Sequence, residues 1–201
     1  MVKDFFDKRK ITMICVSIVS ALLLIFFDQF IKFFIDKNVE YLSEEISVID
    51  NFFSIVHWHN TGGAWGIMSD YTWVLTIMTV IACTAVSYLI VCSEAVLANA
   101  SFVLILSGAV GNVIDRIRLG YVIDYLNFYN LFGYNFPAFN LADICVVSGC
   151  IGLIICIIFV KTPLFDDRTK IGKIFNEKEE IKETNDTKDH LEGEAQIASE
   201  E

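Results

Sequence analysis

Long uncharged apolar runs alternate with polar connectors over the first 160 residues. Ile11–Phe27 spans 17 residues without a charge, and the apolar pattern continues past Asp28 and Lys32 to Ile35. Tyr71–Ser93 spans 23 residues, Ala95–Ile114 spans 20 and Ile144–Val160 spans 17, extendable backward to Asn140. A helix needs about 20 apolar residues to cross the hydrocarbon core, so each run predicts a transmembrane helix. Lys8-Arg9-Lys10 precede the first run as they would a secretory signal, but no small-residue cleavage site follows, so it is expected to remain as a span. Residues 125–142 are also uncharged. They mix Asn127, Asn130, Gly133, Asn135 and Pro137 with seven aromatic rings, which predicts a loop in the headgroup zone. Residues 45–66 are rich in β-branched and aromatic side chains and end in a glycine cluster, which predicts a small extended sheet. The fold class is therefore a mainly α membrane protein: four transmembrane helices, a small extracytoplasmic β-sheet and an interfacial loop.

Composition agrees, at 55% hydrophobic residues and a mean hydropathy of +0.55. Half of the net charge of −10 lies in residues 161–201, with 7 Lys/Arg against 12 Asp/Glu. Residues 1–163 are thus expected to form the membrane domain and 164–201 an acidic, largely disordered tail. No clustered basic surface exists, which argues against nucleic acid. Lys3, Lys8, Arg9 and Lys10 precede the first span, whereas the connector 36–70 has only Lys37 as a basic residue. Positive-inside then predicts both termini in the cytoplasm and residues 36–70 and 115–140 outside. Cys15, Cys83, Cys92, Cys145, Cys150 and Cys156 all fall in apolar runs and read as small apolar residues. No metal or cofactor is expected. His57 and His59 share a strand face, but two ligands without a third are weak grounds for a metal.

Candidate chemistry concentrates at the outer ends of the spans. Carboxylates are expensive near hydrocarbon, and Asp124 and Asp143 both lie at one predicted membrane boundary. Such a pair can share a proton and divide the work of general base and general acid. Asp143 also has a structural reading, because Asn140 followed by an acid three residues on is a capping box. Asp124, between Ile123 and Tyr125, has no comparable alternative. Asn112 and Asp115-Arg116 end the third span, where an Arg can hold a neighbouring carboxylate ionised. Asn60-Thr61-Gly62-Gly63 offers an amide and open backbone, or simply a tight turn. Asp28 and Lys32, four apart, share a helix face, as an internal ion pair or as support for a site. A proton-coupled carrier and a non-catalytic anchor are the rival classes; the first calls for an internal repeat, which is absent, and the second for charges that tolerate neutral replacement.

The order of five motifs resembles that of lipoprotein signal peptidases (signal peptidase II): Asp28-Gln29-x-x-Lys32, Asn60-Thr61-Gly62-x-Ala64, Gly111-Asn112-x-x-Asp115-Arg116, Val122-Ile123-Asp124 and Phe139-Asn140-x-Ala142-Asp143. The resemblance covers about residues 11–161. It implies a metal-free aspartyl endopeptidase of the bacterial inner membrane that cleaves prolipoproteins just before a diacylglyceryl-modified cysteine, with membrane lipids around it and globomycin-type peptides as inhibitors. Asp124 and Asp143 would be the catalytic pair. Asn60, Gly62, Asn112, Asp115, Arg116, Asn140 and Ala142 would line or support the site, with Asp28 and Lys32 behind them. The sheet would be the family's cradle. One ionised aspartate would take a proton from water, and the other would hydrogen-bond the scissile carbonyl and help protonate the leaving amine. Which aspartate plays which part stays open. Gly63, Trp65 and Gly66 mark a segment that departs from the usual family pattern.

Overall fold

The computed structural model describes residues 8–63, 67–129, 133, 136–160, 163–175 and 177. Four helices carry the architecture: α1 (Lys8–Asn38), α2 (Thr72–Cys92), α3 (Val96–Leu119) and α4 (Leu141–Phe159). All four are long and apolar enough to cross a membrane. At about 1.5 Å per residue, α4 matches the roughly 30 Å hydrocarbon thickness. The 31 residues of α1 exceed it. Its last turns leave the bundle, and Ile35 with Val39 just beyond pack against Ile123 and Tyr125.

Three strands sit at that end: β1 (Ile46–Ile49), β2 (Phe53–Asn60) and β3 (Val122–Phe128), antiparallel in the order β1-β2-β3. Asn51, at φ 58°, turns the β1–β2 hairpin. The third strand corrects the reading of residues 125–142 as an interfacial loop, since 125–128 lie in β3. Its composition suits a headgroup zone, but its backbone is satisfied by a partner some 70 residues earlier, with Phe53 opposite Phe128 and Asn60 opposite Val122. Residues 130–132 and 134–135 of that segment lie outside the described residues, as do Trp65 and Gly66.

The centre of the bundle is α3, the most buried of the four helices, in contact with the other three. Glycines bring α4 close to it: Gly149 lies over Ser101 and Ile105, and Gly152 over Ser101. Small residues let membrane helices approach where no hydrophobic drive exists between them. A Cβ on Gly108 would overlap the Ala142 carbonyl and come within 2.8 Å of Val146. Gly108→Ala is therefore expected to displace the start of α4 and to destabilise the protein by about 1–3 kcal/mol. A thermal melt in detergent indistinguishable from the parent's would show that the interface has slack.

At the opposite end, residues 163–175 pack where the polar composition predicts little structure. Leu164 and Phe165 are buried with Ile90, Phe102 and Cys156. The segment continues the turn between α2 and α3 through Glu94 N to Leu164 O (3.0 Å) and Asp166 N to Cys92 O (2.9 Å). Buried Lys10 donates to the Ser93 carbonyl at 2.7 Å. Arg168 grips Asp166 through Nε and Nη2, and these bonds hold that carboxyl down at about 2. Leu164, Phe165, Ile171 and Phe175 are too scattered a signal to stand out in an acidic tail, which is why the ordered stretch escapes a reading by composition.

Candidate active site

Helices α1, α3 and α4 and strands β2 and β3 each contribute a polar side chain to one cluster at the sheet end. Asn60 closes β2 and Asp124 lies in β3. Trp58, not Asn60, stands opposite Asp124, so Asn60 is its diagonal neighbour, within reach on the same face. Asn60 Nδ2 donates to Asp124 Oδ2 at 3.0 Å. The other oxygen of Asp124 accepts Asn140 Nδ2 at 2.8 Å.

Asn140 is the N-cap of α4, and Asp143 completes a reciprocal capping box with it: Asp143 N donates to Asn140 Oδ1 at 3.0 Å, and Asn140 N to Asp143 Oδ2 at 3.1 Å. The structural reading of Asp143 is thus real, but it uses one carboxylate oxygen. The other, Oδ1, accepts Asn112 Nδ2 at 2.9 Å. Capping and the cluster are served by the same half-buried side chain.

Behind the two aspartates lies a buried ion cluster. Lys32 Nζ is 2.9 Å from Asp28 Oδ2, 2.9 Å from Asp115 Oδ2 and 2.9 Å from Asn112 Oδ1. Lys32 is only 2% exposed. Asp28 Oδ1 accepts Ala142 N at 3.0 Å, and Asp115 Oδ2 accepts Ile123 N at 3.3 Å. The cluster therefore ties α1 to the starts of both α4 and β3. Gly111 must be small here, because a Cβ would come 2.5 Å from Asp28 Oδ2.

Arg116 lies in the field of both aspartates, as the sequence reading expects, but its direct hydrogen bond goes elsewhere. Its Nη2 donates to the Gly62 carbonyl at 2.9 Å, while Gly62 N donates to Asn60 Oδ1 at 2.9 Å. Among the described residues no ion pair joins Arg116 to Asp124 or Asp143, and its buried Nε lacks a hydrogen-bond partner there. The guanidinium anchors the 60–63 turn that presents Asn60.

Two further contributors escaped the sequence reading. Gln29 Nε2 donates to Asp115 Oδ1 (2.9 Å) and the Gly111 carbonyl (3.1 Å). Its place beside Asp28 in the first motif was the available signal. The Tyr125 hydroxyl accepts Leu141 N at 3.1 Å, a long-range contact with no local signature. His57 and His59 stand apart from the aspartates. His57 Nδ1 meets the Val39 carbonyl at 2.8 Å, and His59 stacks between Tyr41 and Tyr121. Among the described residues no group of three His, Cys, Asp or Glu is arranged to hold a metal.

Burial, reinforced by the facing charge of Asp143, pushes the Asp124 carboxyl up to about 7. An unfolded aspartate titrates near ~3.9, so the native state binds the extra proton. The stability Asp124 contributes is then complete below about pH 4 and is lost as pH rises through about 7. Asp124→Asn, neutral throughout, is expected to be more stable than the parent at pH 8 and to lose most of that advantage by about pH 4. Parallel melting curves that keep the same gap at both pH values would count against the buried, proton-holding carboxyl.

The family model "Signal peptidase (SPase) II" matches residues 20–159. A lipoprotein signal peptidase of Symbiobacterium thermophilum is 39% identical over 140 residues, which are 69% of this chain and 90% of that protein. Two solved structures, each described as a bacterial membrane enzyme determined by the in meso method, are also similar. The first, at 2.3 Å resolution, has a TM-score of 0.67 at 34% identity and covers 72% of this chain and 88% of its own. The second, at 1.9 Å, has a TM-score of 0.66 at 33% identity and covers 74% and 96%.

Proposed function

Since the chain belongs to the signal peptidase II family of multi-pass membrane peptidases, we propose that it is an aspartic endopeptidase with Asp124 and Asp143 as its acid–base pair. It removes the signal peptide from diacylglyceryl-modified bacterial prolipoproteins, cutting just before the lipidated cysteine. One observation carries the aspartic reading: two carboxylates from separate elements, β3 and the start of α4, both accept from Asn140, Asp124 from its side-chain amide and Asp143 from its backbone N–H. Water attacks the scissile carbonyl as one aspartate removes its proton, and the second, protonated, stabilises the developing oxygen charge. Asn60 and the Gly62 turn lie beside Asp124 and are suited to orient the substrate backbone.

The four-span domain lies in the cytoplasmic (inner) membrane with both termini inside and the site at the outer face, as the basic residues of the first segment indicate. A site at the bilayer edge lets water reach the bond while the acyl chains of the substrate stay among lipid tails. Globomycin-type peptides should compete for it. The test is cleavage by the purified protein of a prolipoprotein with and without its diacylglyceryl group. The lipidated form should be cut, the unlipidated precursor should survive, and a globomycin-type peptide should protect the first. Equal cleavage of both forms would remove the substrate assignment.

A further inference from the structure

Lys32 has three N–H donors and no acceptor, and all three are committed, to Asp28, Asp115 and Asn112. The Asn112 atom that faces it must therefore be the carbonyl oxygen. This removes the usual freedom of an amide to turn over, and it leaves Nδ2 pointing at Asp143 Oδ1. Asn140 is fixed in the same sense, because its Oδ1 is taken by Asp143 N in the cap and its Nδ2 lies 3.2 Å from Asn112 Oδ1. The ammonium sets the direction of the Asn112 amide, and the α4 cap sets that of Asn140.

The consequence is an asymmetry between the two aspartates. Asp143 Oδ2 accepts a backbone N–H at the start of a 19-residue helix, where the helix dipole favours negative charge, and Oδ1 accepts the locked Asn112 amide. Asp124 is 4% exposed, lies in a strand and receives two side-chain amides only. The charged groups around the pair are Lys32 and Asp28 from α1 and Asp115 and Arg116 from α3, with the Tyr125 hydroxyl from β3. Relying on the dyad reading above, we propose that Lys32 acts as a positioning residue which, through Asn112, assigns Asp143 as the ionised base and Asp124 as the protonated acid. The elevated titration of Asp124 agrees with this placement.

The proton account closes. Asp143 takes a proton from water as the water oxygen bonds to the carbonyl carbon, and Asp124 gives its proton to the carbonyl oxygen. Asp143 then passes its proton to the nitrogen as the C–N bond breaks. Asp124 recovers a proton from the diol oxygen as the carboxyl product forms. The pair ends as it began.

The experiment is infrared difference spectroscopy of the protonated-carboxyl C=O band, titrated on the full chain in lipid, alongside prolipoprotein processing. In the parent the band should titrate near pH 7; it should vanish in Asp124→Asn and persist in Asp143→Asn. Lys32→Met/Asp28→Asn keeps the buried charge balance but removes the ammonium from Asn112, leaving its oxygen only the longer contact to Asn140 Nδ2, and Asn112→Leu removes the relay alone should the first variant not fold. In either background the band should spread over both aspartates, so that adding Asp124→Asn no longer abolishes it, and processing should fall at least ~10-fold. A parent band that survives Asp124→Asn but disappears in Asp143→Asn overturns the assignment. A band that stays wholly on Asp124 without the relay overturns the role of Lys32. If Asp124→Asn and Asp143→Asn both process at the parent rate, the dyad reading itself fails, which is a separate result.

Discussion

Asp124→Asn and Asp143→Asn are each expected to slow prolipoprotein processing by at least ~10²-fold and up to ~10⁴-fold, the range that positioned acid–base groups supply. Both replacements preserve shape. An asparagine at 124 still offers an oxygen to Asn140 or Asn60, and at 143 its carbonyl oxygen can still accept the Asn140 backbone N–H of the capping box. Neither can exchange a proton, so a fall in rate with a folded protein isolates the chemistry from the scaffold. The measurement is initial rate at saturating diacylated substrate, with thermal stability recorded on the same preparations. Substrate affinity should change much less than turnover, because the missing interaction develops only in the transition state. A variant that turns over at the parent rate removes its aspartate from the catalytic pair.

Four spans were legible because membrane helices state themselves locally: each needs about 20 apolar residues and little else. The outer ends of α1 and α3 were legible for a related reason. Buried charges such as Asp28, Lys32 and Asp115 are costly enough to stand out in apolar runs. β3 was not legible. Its identity as a strand depends on pairing with β2 across the whole of α2 and α3, and Tyr125, Asn127 and Phe128 have the composition of a headgroup loop. Asp124 was singled out for lacking a structural role, yet what makes it distinctive is that same strand. β3 holds it diagonal to Asn60, buries it, and turns it toward the α4 cap. Arg116 shows the converse limit. Its residue type and place suggest a charge partner for the aspartates, and it does lie in their field, yet its Nη2 hydrogen bond goes to the Gly62 carbonyl. Sequence spacing says which helix face a side chain occupies, not which of several acceptors its fork will choose.

Lys32→Met, the second large effect, should destabilise the protein by about 3–5 kcal/mol, because removing one partner of a buried ion cluster strands the others. A surface pair would contribute only about 0–1 kcal/mol, so the magnitude distinguishes the two situations. Here Lys32 and Asp28 are each 2% exposed and Asp115 is 1% exposed. Met matches the length of the lysine stem but satisfies neither carboxylate, and it leaves the Asn112 oxygen with the Asn140 amide alone. For a chain of this size the melting temperature should drop by roughly 10 °C. Adding Asp28→Asn should restore part of the loss: it removes one of the two stranded charges while its carbonyl oxygen can still accept Ala142 N. The non-additivity of the pair is the decisive quantity, since contacting groups in one network couple by about 0.5–3 kcal/mol. Single and double variants that simply add would mean the ammonium and the carboxylate act independently. The start of α4, and Asp143 with it, would then owe its position to the helix packing at Gly108 and Gly111 and not to the ion cluster behind the site.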